Sequence, residues 1–166
     1  MEQQVFLERA IEQYGKATYN FAYRLTGNPA DASDLTQEAF LRVFRAWRSF
    51  KPGTSFRSWI YRIVTNLYRD ELRRRKGRYQ QEEIPPIPVH PIEEYIEGQL
   101  SEPVSKALAE LNPEQRQIVL LADIEECSYQ EIGQIVGCSV GTVRSRLHRA
   151  RGQLRKLVTH YMKSAK

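Results

Sequence analysis

Apolar residues recur at intervals of three and four along most of the chain, and no stretch alternates with the period of two that a half-buried strand requires. The pattern therefore predicts helices and no sheet. Phe6, Ala10 and Tyr14, followed by Phe21 and Leu25, predict an early helix, or a helix pair divided near Gly15. Gly27-Asn28-Pro29 ends that unit and opens the next, because proline suits the first turn of a helix and not its interior. Leu35, Ala39, Val43 and Trp47 form the stripe of a helix over about residues 30–47. Lys51-Pro52-Gly53-Thr54 is a turn, and Thr54 or Ser55 can cap a helix running to about Lys76, with Ile60, Ile63, Val64 and Leu67 on its inner face.

Between residues 80 and 103 the periodicity stops. Ile84-Pro85-Pro86-Ile87-Pro88-Val89-His90-Pro91 can neither continue a helix nor join a ladder, and predicts an extended, polyproline-like linker. Helical spacing returns at Val104, Leu108 and Leu111, and Pro113 opens a further helix through Ala122. The expected fold is all-α: two small helical domains, 1–78 and 104–166, joined by a proline-rich acidic linker over 79–103.

Charge sharpens this division. Residues 57–78 carry eight Lys and Arg against two acids, and 144–166 carry eight against none. Residues 79–103 carry six acids and no base, so two basic blocks are held apart by an acidic stretch. Two basic helices, each with a patterned apolar side, point to a nucleic-acid partner. The first residues carry acids rather than a basic start and apolar run, and no stretch approaches the roughly 20 apolar residues of a membrane span, so a cytoplasmic protein without membrane insertion is expected. Cys127 and Cys138 lack zinc-site spacing and are expected to be buried free thiols.

The C-terminal block has a recognisable local grammar. Ser128 and Glu131 are spaced as a capping box, Gly137-Cys138-Ser139 as a tight turn, and Ile132, Val136, Val140, Val143 and Leu147 as the shared core of two crossed helices. This is the helix-turn-helix pattern. With Val140, Val143, Leu147, Ala150 and Leu154 facing inward, the second helix turns Thr142, Ser145, His148 and Arg149 outward, with Arg144 and Arg146 on the flanks. Such side chains can bond to base edges and phosphates in a major groove.

The N-terminal block carries two further constellations. The helix after Ser55 mixes rings and bases, namely Phe56, Arg57, Trp59, Tyr61, Arg62, Tyr68, Arg69 and Arg73-Arg74-Arg75-Lys76, the combination that holds single-stranded nucleic acid by stacking and phosphate contact. Core packing explains some of these rings, Trp59 and Phe56 at least in part, and not the set. The helix before it carries Asp31, Asp34, Gln37, Glu38 and Arg42. A metal site on Asp31, Asp34 and Glu38 is weaker than a solvated face, because hard cations draw ligands from several elements. No cofactor, catalytic residue or metal is expected. A free-standing helix-turn-helix regulator accounts for the C-terminal block alone, and a metal-dependent nuclease lacks a His pair or a nucleophile motif.

Four stretches in register carry a family resemblance: Asp31-Ala32-Ser33-Asp34-Leu35-Thr36-Gln37-Glu38-Ala39-Phe40-Leu41-Arg42-Val43-Phe44, Phe56-Arg57-Ser58-Trp59-Ile60-Tyr61-Arg62-Ile63-Val64-Thr65-Asn66, Leu111-Asn112-Pro113-Glu114-Gln115-Arg116, and residues 128–151. The chain resembles the extracytoplasmic-function group of bacterial RNA polymerase sigma factors, over almost its whole length. The resemblance implies a transcription initiation factor, not an enzyme, whose partners are core RNA polymerase, promoter DNA and an anti-sigma factor. It places Asp31, Asp34, Gln37, Glu38 and Arg42 against the polymerase clamp. Residues 49–55 and the helix carrying Ser55, Trp59, Arg62, Asn66, Arg69, Asp70 and Arg73 become the part that opens the −10 element and captures a flipped base. Thr142, Arg144, Ser145, His148 and Arg149 become readers of the −35 element. The acidic linker resembles a connector occupying the polymerase RNA channel, and the two extra domains of larger sigma factors are expected to be missing.

Overall fold

The computed structural model describes residues 1–78 and 100–164, so most of the expected linker lies outside the described residues. Every regular element among them is helical: α1 (Glu2–Thr26), α2 (Pro29–Arg45), a 3₁₀ turn (Trp47–Ser49), α3 (Phe56–Arg78), α4 (Glu102–Glu110), α5 (Pro113–Val119) running into a π-helical turn (Leu120–Ile124), α6 (Tyr129–Val136) and α7 (Val140–Ser164). They fall into two compact units, Met1–Pro91 and Ile92–Lys166. None of the described helices is long and apolar enough to cross a membrane.

In the first unit α1, α2 and α3 pack pairwise into a bundle. α1 is one unbroken helix rather than a pair. Gly15 costs about 1 kcal/mol of helix propensity but meets no clash and leaves every backbone bond available, so packing of Ala10, Thr18, Phe21, Ala22 and Leu25 carries the helix through it. The helix ends where expected, at Gly27, whose left-handed backbone (φ 68°) lets its N–H reach the Tyr23 carbonyl at 2.7 Å. Asn28 then caps α2, its side-chain oxygen accepting from the N–H groups of Ala30 and Asp31 at 2.8 and 3.2 Å, with Pro29 as first helical residue. Ser55 caps α3 by accepting from the Ser58 N–H at 3.2 Å. The core gathers Phe21, Leu25, Ala32, Ala39, Val43, Ile60, Tyr61 and Val64. Leu35 and Ile63, expected inside, are only half-buried.

In the second unit α7 packs against α4, α5 and α6. α4 begins at Glu102, inside the segment assigned to the linker, because Pro103 sits in its first turn, where a missing N–H costs nothing. Asn112 caps α5 through the Gln115 N–H at 2.8 Å. Arg116, one turn on, reaches back to donate to the carbonyls of Leu108, Ala109 and Leu111 at 2.8, 2.8 and 2.9 Å, satisfying groups that the end of α4 leaves open. The continuation of α5 to Ala122 is not a plain α-helix. The Glu125 N–H bonds to the Leu120 carbonyl at 2.9 Å, closing a wider turn, and the five consecutive residues Gln117 to Leu121 across the junction are buried.

Candidate nucleic-acid interface

The helix-turn-helix consists of α6, the turn 137–139 and the start of α7. Both halves of its capping box are present: the Glu131 N–H donates to Ser128 Oγ at 3.1 Å, and the Ser128 N–H to Glu131 Oε1 at 3.4 Å. Gly137 adopts the left-handed conformation (φ 78°), and the N–H groups of Gly137 and Cys138 both converge on the Gly133 carbonyl at 2.8 and 3.0 Å. Ser139 starts α7, its Oγ accepting from the Thr142 N–H at 3.2 Å. The turn closes so tightly that a β-carbon on Gly133 would lie 2.6 Å from the Cys138 carbonyl oxygen. The cysteines flank α6, and only Cys127 is buried as expected, Cys138 being half-covered in the turn.

Val143, Leu147 and Ala150 anchor α7 to the core, with Val140, Leu154, Leu157 and Val158 half-buried on the same side. Arg144, Ser145, His148 and Arg149 are exposed and Thr142 is half-exposed, with Ser145 and Arg149 near the middle of the outer face and Arg144 and His148 on one flank. Thr142 hydroxyl lies 3.0 Å from Ser139 Oγ, which fixes its rotamer at the tip of the helix. Arg151 is turned away from this face. Its guanidinium forks onto Asp123 in the π-helical turn at 2.6 and 3.1 Å, and that hydrogen bond raises its pKa above the ordinary arginine value against a smaller opposing effect of desolvation.

In the first unit α3 separates its two kinds of residue by face. At 3.6 residues per turn, Ser55, Trp59, Arg62, Asn66, Arg69, Asp70 and Arg73 all fall in a sector about 100° wide, opposite the buried Ile60, Val64 and Leu67. Ser55, Arg62, Asn66, Asp70 and Arg73 are exposed, and Trp59 and Arg69 are half-exposed. The rings do not follow the bases outward. Phe56, Tyr61 and Tyr68 are buried, and Tyr61 stacks on Phe21 at a centroid distance of 4.5 Å, so these three belong to the core and Trp59 is the one ring of α3 that reaches the surface. Trp59 in turn stacks on Phe50 at 5.4 Å. Phe50 and Phe56, at 5.6 Å edge to face, pin the two ends of the exposed loop 51–55, and Phe6 packs on both from α1 at 6.0 Å. Phe6 is a support that helical spacing could place on the inner side of α1 but could not assign to this loop.

The polar residues of α2 divide. Asp31 accepts from Arg75 of α3 at 2.9 Å, and this bond, with the nearby Glu71, raises the Arg75 pKa; Asp31 thus ties two helices together. Glu38 lies 3.8 Å from Arg42 and 4.0 Å from Arg45, exposed pairs of small energetic weight. Asp34 and Gln37 are exposed. Gln37 also borders an apolar groove of about 560 Å³ between α1 and α2, lined by Leu7, Ile11, Tyr19, Phe40 and Leu41. Ile11 and Leu41, both exposed, were not among the residues singled out from sequence, because a lone apolar residue on a polar face carries no pattern. Among the described residues no three His, Cys, Asp or Glu side chains gather as metal ligands.

Residues 10–78 match the family of sigma-70 region 2, and residues 101–154 that of sigma-70 region 4. The chain is 46% identical over 155 residues to the ECF RNA polymerase sigma factor SigE of Mycolicibacterium smegmatis, covering 89% of this chain and 60% of that relative's length. It is 33% identical over 159 residues to the ECF RNA polymerase sigma factor SigW of Bacillus subtilis, covering 88% of this chain and 85% of that one. Its fold is similar to that of the sigma factor RpoE solved in complex with the anti-sigma factor NepR from Bartonella quintana, with a TM-score of 0.79 at 28% identity over 92% of this chain and 96% of that one. CnrH in complex with the cytosolic domain of CnrY shares the fold, with a TM-score of 0.68 at 24% identity, over 95% of this chain and 90% of that one.

Proposed function

The chain belongs to the sigma-70 family of RNA polymerase sigma factors, in its extracytoplasmic-function group, and from that premise we propose how its two units share the work of initiation. The protein is a transcription initiation factor, not an enzyme, and directs core polymerase to particular promoters. The first unit binds the polymerase and opens the −10 element. The second, on α7, reads the −35 element. The observation that carries this division is the single exposed face of α3, which aligns Ser55, Trp59, Arg62, Asn66, Arg69, Asp70 and Arg73 beside a loop held at both ends by rings.

Arginines on that face meet phosphates, Asn66 and Asp70 offer donors and acceptors to a base edge, and Trp59 supplies the one accessible stacking ring. On α2, Asp34, Gln37, Glu38 and Arg42 form the polar part of the polymerase-docking face. Leu41 and Ile11 at the neighbouring groove supply its apolar centre, which a stable interface needs. Asp31 supports this face through Arg75. A cytoplasmic site of action and control by an anti-sigma factor complete the reading, the latter supported by the solved complexes of similar chains. Reconstitution with purified core polymerase tests it. A promoter-specific run-off transcript that appears only when both are present is expected, and its absence from genomic templates containing the chain's own targets would overturn the proposal.

A further inference from the structure

The outer face of α7 does not stop where the helix-turn-helix does. Arg149, Lys156 and Lys163 recur every seven residues, two turns apart, and all three are exposed with no ion-pair partner among the described residues. α7 contains no Asp or Glu from Val140 to Ser164. The carboxylates that do reach it are on its packed side, Asp123 on Arg151 and Glu110 on the Tyr161 hydroxyl. A face kept only for solubility mixes both signs, and this one does not.

We propose that Lys156 and Lys163 form a phosphate-contacting rail on the duplex flanking the −35 element, continuing the line that begins at Arg149. The proposal rests on the reading of the Ser145 and Arg149 face as the −35 reader. With 25 residues α7 is about 37 Å long, whereas the major groove is about 12 Å wide and 8.5 Å deep, so a helix that enters it by its first turns leaves it before its end. Lys156 and Lys163 stand about 10 and 21 Å along the axis from Arg149, where the helix passes the flanking backbone. Duplex DNA offers a charge every 1.7 Å or so of its axis, so lysines at this spacing need no particular sequence to find phosphates.

The far end of α7 is held in place for such a role. Tyr161 is bound to Glu110 of α4, Lys106 of α4 sits 5.7 Å from the centre of the Tyr161 ring, and Leu157 and Val158 are half-buried. These contacts fix the rotation of the last three turns and thereby keep Lys156 and Lys163 in line with Arg149. They lie largely beyond residue 154, where the match to sigma-70 region 4 ends.

The test compares holoenzymes assembled with the parent chain and with K156Q/K163Q. Losing two phosphate contacts should lower the slope of log affinity against log salt by about 2, so that a fourfold rise in salt costs the parent about tenfold more promoter affinity than the variant. Neutral methylphosphonates at phosphates flanking the −35 element should weaken the parent and leave the variant nearly unaffected. An unchanged slope overturns the rail. So does a lowered slope with no coupling to any flanking phosphate, which marks general attraction, or a loss of affinity for core polymerase in the absence of DNA, which marks a protein partner. Arg149→Ala separates the two levels: if it changes neither −35 discrimination nor the salt slope, the underlying reading of α7 has failed and not the rail alone.

Discussion

Gly133→Ala tests how the helix-turn-helix sets the angle of α7. The new β-carbon would stand 2.6 Å from the Cys138 carbonyl oxygen, at least 0.8 Å inside the 3.4 Å at which ordinary contact begins. That oxygen belongs to backbone, and cannot swing aside as a side chain would. The same segment is tied to Gly133 by the two N–H groups of Gly137 and Cys138, so relieving the clash lengthens bonds now at 2.8 and 3.0 Å. Overpacking of this kind costs about 1–3 kcal/mol, and each weakened hydrogen bond up to about 1. Alanine in a helix returns roughly 1 kcal/mol over glycine. The net expectation is a loss of about 1–3 kcal/mol, or a melting point lower by about 4 °C per kcal/mol or more in a unit of this size. Both tryptophans, Trp47 and Trp59, are in the first unit, so the assay separates the two units in the intact chain. Far-UV dichroism should show part of the signal melting earlier while tryptophan fluorescence keeps its midpoint. An unchanged or raised dichroism midpoint, the result helix propensity alone would give, would refute the close approach on which the turn depends.

Arg149→Ala should cost about 1–3 kcal/mol of −35 discrimination if the guanidinium meets a base edge, and should lower the salt slope without altering discrimination if it meets phosphate; equal binding at every salt concentration contradicts both. Gln37→Ala with Glu38→Ala should weaken core polymerase binding and leave the thermal midpoint of the first unit in place, since neither side chain is buried; native affinity in the pulled-down complex would exclude them from the docking face. Arg116→Met leaves three carbonyls around the end of α4 without their donor and should destabilise the second unit by about 2–3 kcal/mol in urea denaturation, with a loss below about 0.5 showing that water replaces the guanidinium.

What the sequence made legible was what it encodes locally. Gly27, Asn28 and Pro29, the box of Ser128 and Glu131, and Gly137 each act within four residues, and the structure shows every one in the expected conformation. What depended on distant contacts was left open or left out. A glycine at position 15 looks like a break until the packing of α1 is known. The π-helical turn at Leu120–Ile124 is a local widening of the helix that period counting cannot anticipate. Rings at 61 and 68 read as readily for stacking on bases as for packing, and only their burial in the bundle, with Tyr61 stacked on Phe21, decides for packing. The polar groups were harder still. Asp31 resembled its neighbours Asp34 and Glu38 in sequence, yet its partner Arg75 lies 44 residues away on another helix.

Promoter opening is the step at which this chain must differ from a free-standing helix-turn-helix regulator, and a fluorescent base analogue within the −10 element reports it directly. Freeing a base from the stack costs a few kcal/mol, which the exposed face of α3 and the loop before it must offset through stacking and phosphate contacts. On a promoter located by mapping transcript starts, holoenzyme should raise the analogue's fluorescence and the free protein should not. Asn66→Ala combined with Arg73→Ala should slow that rise by more than it weakens initial duplex binding. A rise equally fast with the double variant, or one produced by the protein without polymerase, would contradict the assignment of melting to the outer face of α3.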